Sequence, residues 1–135
     1  MSEMYKVVGT STPTALLEDP QGAEAIAVPM KPGQGTVAAG TVIYRDADGF
    51  WNGAAAANIV GTNMLAVLAE DVDTDVSETV AEDAAAYRSA RLIDGKVKDK
   101  TGTAVTAAHK VILRQQNLVL KPDTSAAVFD NTVSA

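Results

Sequence analysis

The chain has 135 residues, no cysteine, and only 4% aromatic residues. The absence of cysteine excludes disulfides, thiolate nucleophiles and thiolate metal sites. No apolar run approaches the ~18 residues of a membrane span, and the N-terminus lacks the basic and apolar regions of a secretory signal. The single histidine, His109, has no second histidine or cysteine to complete a triad or a zinc site. We therefore expect no enzyme activity, no cofactor and no membrane insertion.

Basic residues are scarce, since 11 lysines and arginines stand against 17 aspartates and glutamates, and the net charge is −6. A general nucleic-acid-binding protein is usually basic, so we expect no nucleic-acid partner. The charge is uneven, with a net −10 in residues 1–83 and a net +4 in residues 84–135. These two halves could meet within one fold or between neighbouring copies.

Small and β-branched side chains dominate the apolar fraction of 47%, with 24 alanines and 16 valines. Valine, threonine and isoleucine favour strands, so we predict a mainly β fold with one short helix. Strands are predicted near 36–37, 41–45, 50–51, 64–69, 87–93 and 118–120, with turns at 46–49, 52–53 and 94–95. Residues 77–91 also contain a capped helix start, although a strand is favoured near their end.

The helix is predicted from Val105 to Gln116, with Thr103 or Thr106 as its N-cap and Asn117 at its end. Its apolar positions at helical spacing are Val105, Ala108, Val111 and Ile112.

The first 34 residues differ in character from the rest, because they hold four of the five prolines and two short apolar patches. We predict an extended N-terminal arm over 1–34, a β-rich domain over 35–122 and a polar tail over 123–135. The arm could be a flexible leader or a segment that orders on a partner, and its apolar residues favour the second. The candidate partner-binding residues are Tyr5, Val7, Leu16, Leu17, Ile26 and Val28.

An acidic run offers a weak calcium-loop pattern. Asp71, Asp73 and Asp75 occupy the first, third and fifth places of such a loop, and Glu82 occupies the twelfth. The sixth place needs glycine and holds Val76 instead, so a solvated acidic turn is the favoured interpretation and no metal site is expected. Lys96, Lys98, Lys100 and Lys110 could form a basic patch, with a solvated edge as the default.

The order of several segments resembles the head decoration proteins of tailed bacteriophages, the lambda-type capsid-stabilising family. Residues 39–43 (AGTVI) resemble the opening strand of that family. Residues 64–73 (MLAVLAEDVD) resemble its acidic central segment, and residues 94–97 (DGKV) the strand that follows. Residues 105–113 and 117–121 resemble the closing helix and strand. The resemblance covers about two-thirds of the chain.

This resemblance implies a small β-barrel or β-tulip-like domain that forms a homotrimer and has no catalytic activity. It also implies that the arm binds the major capsid protein on the outer surface of the virion, after synthesis in the cytoplasm of the bacterial host. A head fibre base and a calcium-dependent binding module that uses the acidic run are alternatives.

Overall fold

The computed structural model of the chain describes residues 16–76 and 80–121, and for residues 18–22 it describes the backbone alone. These residues form eight strands, one α-helix and a short 3-10 helix. The strands are β1 (Leu17–Met30), β2 (Thr36–Val37), β3 (Val42–Arg45), β4 (Trp51–Gly53), β5 (Leu65–Leu68), β6 (Val72–Asp73), β7 (Glu82–Ile93) and β8 (Leu118–Lys121). The 3-10 helix spans Ala56–Asn58 and helix α1 spans Ala107–Gln115.

The main sheet is a partly closed ring. Its strand order is β1–β4–β3–β5–β7–β8, and β1 also pairs with β7, so five strands form the ring and β8 lies outside it on β7. The strands β2 and β6 form a separate two-stranded sheet. The predicted mainly β fold with one helix is confirmed. Among the described residues, no helix is long and apolar enough to cross a membrane.

The central strands are buried on both faces. Val42 and Ile43 follow each other in β3, yet Val42 packs into one core cluster and Ile43 into another. In β5, Leu65 and Val67 join the first cluster while Ala66 and Leu68 join the second. Because both faces are covered, the strand has a nearly continuous apolar sequence instead of an alternating one.

The long strand β1 overturns the predicted domain boundary at residue 35. It runs antiparallel to β7 from Leu17 opposite Leu92 to Met30 opposite Glu82, and its register shifts between Asp19 and Glu24. Val28 and Met30 are fully buried in the second core cluster. The described part of the predicted arm is therefore a strand of the domain, because its apolar side chains fill a core that residues 35–122 alone would leave open.

Most other predicted elements occur close to their expected positions. Strands β3, β5 and β8, the turn before β4 and the turn after β7 are confirmed. The strand predicted over 87–93 is confirmed but begins earlier, at Glu82, so the alternative helix is excluded for the described residues from 82 onward. Residues 77–79 and the tail at 123–135 lie outside the described residues.

Helix α1 is also confirmed, with Thr106 as its N-cap and Asn117 in a left-handed conformation (φ 67°) just after it. Its predicted apolar face is wrong in part, since Val111 is 58% exposed and Leu113 is the fully buried residue.

The tight turn predicted at Asn52 and Gly53 does not form. Both residues belong to β4 and pair with β3, Asn52 opposite Tyr44 and Gly53 opposite Ile43. A Cβ at Gly53 would lie 3.0 Å from the Cβ of Lys100. The glycine is therefore explained by a close approach of Lys100 and not by a turn.

Candidate interaction surfaces

The four predicted arm residues that the structure describes pack against the core of the domain. Leu16 and Val28 lie in the core, with 5% and 0% of their surfaces exposed. Leu17 and Ile26 are half-buried and pack against the two core clusters. Leu16 and Val28 are therefore core residues of the domain, which leaves them no surface for a partner, whereas Leu17 and Ile26 stay predictions as partner contacts. Tyr5 and Val7 lie outside the described residues.

The described residues of the acidic run form local hydrogen bonds or lie in a strand. The Asp71 Oδ1 atom accepts a hydrogen bond from the Ala39 N–H (2.8 Å), and the Asp73 Oδ1 atom accepts one from the Asp75 N–H (2.9 Å). Glu82 begins strand β7, opposite Met30. Across residues 16–76 and 80–121, no three histidine, aspartate or glutamate side chains are grouped to hold a metal ion.

The single histidine has a local role. The His109 N–H donates to the Thr106 Oγ1 atom (3.2 Å), and the Thr106 N–H donates to the His109 Nδ1 atom (3.4 Å). These reciprocal bonds satisfy N–H groups that the first turn of a helix leaves without partners. His109 therefore caps α1, and this use of its imidazole explains its position beside Thr106.

Two glutamine side chains complete strand edges. Gln34 accepts from the Gly53 N–H (2.7 Å) and donates to the Trp51 carbonyl oxygen (3.2 Å), which lie on the side of β4 that faces β1. Gln116 accepts from the Leu65 N–H (2.9 Å) and donates to the Asn63 carbonyl oxygen (2.7 Å). Each amide supplies a donor and an acceptor to backbone groups where regular strand pairing ends.

These glutamines were missed in the sequence, because an isolated glutamine in a loop carries no periodic or motif signal. The same holds for Thr74, which is fully buried. Its hydroxyl accepts from the Gln34 N–H (2.8 Å) and donates to the Gly35 carbonyl oxygen (2.7 Å). Thr74 and Gln34 together fix the loop that joins β1 to β2.

Two aspartates stabilise turns through their carboxylates. The Asn52 side chain, with the Phe50 and Asp48 N–H groups, hydrogen-bonds Asp46 and lowers its pKa. The Thr101 hydroxyl lowers the pKa of Asp99, with further help from the backbone N–H of Thr101 and of Thr103. Hydrogen bonds to the ionised form favour that form, so both carboxylates are charged at neutral pH.

An open depression of about 500 Å³ lies where β1 departs from regular pairing with β7. Its lining is mostly polar and includes Glu24, Arg88, Asn63 and Gln115, together with the exposed side chain of Met64. The Arg88 Nη1 atom donates to the Leu65 carbonyl oxygen (3.0 Å). This surface can form hydrogen bonds with a partner.

A second depression, of about 380 Å³, is lined by small residues of the β2 region and by Lys98 and Lys100. The lysines predicted as a patch are therefore divided by the structure. Lys96, Lys98 and Lys100 are exposed at alternate positions, with Val97 and Asp99 buried between them. Lys110 instead pairs with Asp94, with 2.7 Å between Nζ and Oδ2.

In comparisons with known proteins, no protein-family model and no curated protein matches the chain. The function is therefore inferred from the residues of the chain and from the fold described above.

Proposed function

We propose that the chain is a capsid decoration protein of a tailed bacteriophage. It binds the outside of the mature head as a homotrimer, contacts the major capsid protein and stabilises the shell. The observation that carries this proposal is the position of the family-like segments in the fold. The segments at 39–43, 105–113 and 117–121 coincide with the strand, helix and strand that the resemblance implies, whereas residues 94–97 form a turn in place of an implied strand. These elements belong to one small β-rich domain.

The correspondence can be followed along the chain. Residues 39–43 lead into β3, and residues 64–73 cover β5 and β6. Residues 94–97 form the turn after β7 and lead to the bridge between Lys98 and Thr41. The closing segments coincide with α1 and β8. The order of segments in the decoration family is therefore compatible with the order of these elements along the chain.

The anchor to the capsid is narrowed to residues 1–15, since β1 is part of the domain. The Leu16 carbonyl oxygen accepts a hydrogen bond from the Ile93 N–H (2.8 Å), so this segment joins the domain at the end of β7. Fifteen fully extended residues would span about 50 Å at most. Tyr5 and Val7 are the proposed apolar contacts of this anchor.

Stabilisation of the shell follows from multivalency. A contact made by one short segment is weak, because the ordering of the segment opposes binding. Three linked copies raise the effective concentration of the second and third contacts, so attachment becomes much tighter than one contact allows. Each bound trimer then ties neighbouring capsid subunits together, and dissociation of a subunit must break several contacts.

Co-sedimentation with expanded heads of the phage that encodes the chain tests this proposal. The wild type, a Tyr5→Ser/Val7→Ser variant and a matched Val128→Ser/Phe129→Ser variant would each be titrated against the heads. We expect saturable pelleting of the wild type and of the Val128/Phe129 control, and a large loss for the Tyr5/Val7 variant. Failure of the wild type to pellet would reject the function, and equal pelleting of all three proteins would reject the anchor.

A further inference from the structure

The second depression is lined by small residues and by two lysines. Gly33, Gly53 and Ala38 are among its lining residues, and Lys98 and Lys100 line one side. The two lysines are fixed through their backbones, because the Lys98 N–H donates to the Gly40 carbonyl oxygen (2.9 Å) and the Lys100 N–H to that of Ala54 (2.9 Å). The backbone of both lysines is therefore fixed, and their exposed side chains extend from the same side of this segment.

These lysines carry charge that the chain does not neutralise by ion pairing. Asp99 lies between them, but it is buried and its carboxylate accepts hydrogen bonds from Thr101 and Thr103. In the part of the chain that the structure describes, the ion pair between Lys110 and Asp94 is the only one. Lys98 and Lys100 thus present positive charge to whatever occupies the depression.

The turn after β6 has complementary features. Asp73 and Asp75 are exposed, and between them Thr74 is fully buried and hydrogen-bonded to the β1–β2 loop. Val76 follows and is 68% exposed, the highest value among the large apolar side chains of residues 16–76 and 80–121. The turn therefore presents two carboxylates and one apolar side chain on an anchored support, which limits the entropy lost on binding.

We propose that copies of this chain associate by placing the turn at residues 73–76 of one copy in the depression of the next. Asp73 and Asp75 then face Lys98 and Lys100, and Val76 contacts the small residues of the lining. This inference rests on the proposed function, because it names the surface through which the decoration trimer assembles. The turn and the depression are adjacent in one copy, since Thr36 of the lining pairs with Asp73. The proposed contact closes into a ring of three when the rotation between copies permits.

Charge complementarity identifies a second copy as the occupant. The lining holds Lys98 and Lys100 against the single carboxylate of Asp99, which favours an acidic partner. The turn supplies two carboxylates and one apolar side chain within four residues. The excess negative charge of residues 1–83 in one copy then attracts the excess positive charge of residues 84–135 in the next. The contact is partly electrostatic, so it must weaken as salt shortens the Debye length from about 10 Å at 0.1 M to about 3 Å at 1 M.

Analytical ultracentrifugation of the full chain tests this contact through charge reversal. The variants are Lys98→Glu/Lys100→Glu, Asp73→Lys/Asp75→Lys, all four changes combined, and Val76→Ser. The matched controls are Arg114→Glu and Asp48→Lys, which reverse exposed charges elsewhere. Circular dichroism melting of each variant verifies folding, and Val76→Ser tests the contact without altering the charge if an aspartate variant does not fold.

At low salt we expect sedimentation to give, for the wild type and both controls, a molecular mass three times the 14.0 kDa of one chain. Each double reversal should weaken association by on the order of a hundredfold or more, since like charges across an interface are strongly unfavourable. The fourfold variant should recover the trimer, because the charges are exchanged but remain complementary. Val76→Ser should weaken association without changing its dependence on salt.

Other results would overturn this inference without affecting the proposed function. A wild type that stays monomeric up to sub-millimolar concentration would reject self-association through this surface. Reversed variants that assemble like the wild type would reject the contact. Variants that still assemble but no longer pellet with heads would assign the depression to the capsid protein. Conversely, a charge-dependent trimer that does not pellet with expanded heads would reject the proposed function and support the contact between copies.

Discussion

Substitution of the two buried residues of β1 decides whether this strand belongs to the domain. Val28 and Met30 are both 0% exposed and lie two residues apart, so they share one face of the strand and pack near Trp51. A double Val28→Ala/Met30→Ala variant removes these apolar groups while leaving the backbone pairing with β7 possible. If residues 17–30 were a separate arm, the same variant would not affect the stability of the domain.

The expected effect is large. Met30→Ala in a filled core lowers the free energy of unfolding by about 2–5 kcal/mol. Val28→Ala removes two buried methyl groups at ~0.8 kcal/mol each. The two sites are neighbours, so the sum is not strictly additive, but a loss of about 4–6 kcal/mol is expected. Domains of this size are stable by only about 5–15 kcal/mol in total, so the variant should be close to unfolded.

Urea titration monitored by the fluorescence of Trp51, the single tryptophan, measures this loss. Ala25→Ser and Ala27→Ser are the matched controls, because both side chains are exposed on the same strand. Their free energies of unfolding should stay within about 0.5 kcal/mol of the wild type. A double variant with the wild-type midpoint and slope would refute the assignment of β1 to the core and restore the arm predicted from the sequence.

Further predictions concern one glycine, one threonine and one carboxylate, all measured by urea titration. Gly40→Ala should lower the free energy of unfolding by about 1–3 kcal/mol, because φ at Gly40 is +90° and a Cβ would lie 2.3 Å from a carbonyl oxygen. The control Gly61→Ala, where a Cβ would meet open space, should change the free energy of unfolding little. Equal losses in the two variants would contradict this explanation. Thr74→Val should lower the free energy of unfolding by about 1–3 kcal/mol, because the two hydrogen bonds of the Thr74 hydroxyl are lost. The control Thr36→Val, at an exposed threonine, should not lower it. An unchanged free energy of unfolding for Thr74→Val would show that the loop does not depend on these hydrogen bonds. The pKa of Asp99 in the folded protein is lowered below its ordinary value of 3.8. The ionised carboxylate therefore stabilises the folded state fully when the pH is above 3.8, and this stabilisation is lost as the pH falls through the folded pKa. The wild type should therefore lose stability more steeply below about pH 4 than Asp99→Asn, and parallel pH profiles would contradict the role of this carboxylate.

Local signals explain the elements that could be predicted from the sequence. The apolar run around β5, the turn residues before β4 and after β7, and the capping residues of α1 all act within a few positions. Asn117 tolerates the left-handed conformation that ends the helix, which is a property of the residue itself. Such elements need no knowledge of distant partners.

The elements that were missed depend on distant partners. Strand β1 contains two prolines and three register shifts, and its main pairing is with β7, more than 50 residues away in sequence. Asn52 and Gly53 form a strong local turn signal, yet pairing with β3 and the approach of Lys100 override it. Tertiary context of this kind outweighs local preference.

The candidate surfaces show the same division. The alternation of Lys96, Lys98 and Lys100 is visible in the sequence, and the structure confirms that they share an exposed face. The depression beside them is not visible in the sequence, because it is built from residues of the 33–39, 53 and 98–102 segments. The anchoring of the acidic turn by Thr74 is likewise a contact between residues about 40 positions apart.

The most direct test of the central claim is electron cryomicroscopy of expanded heads of the phage that encodes the chain, saturated with the full-length protein. The account predicts added density on the outer surface at the three-fold positions of the capsid lattice, with three copies of the β-rich domain at each position. Heads that remain bare at saturating protein concentration would contradict it, as would density only at the portal, at the tail or inside the shell.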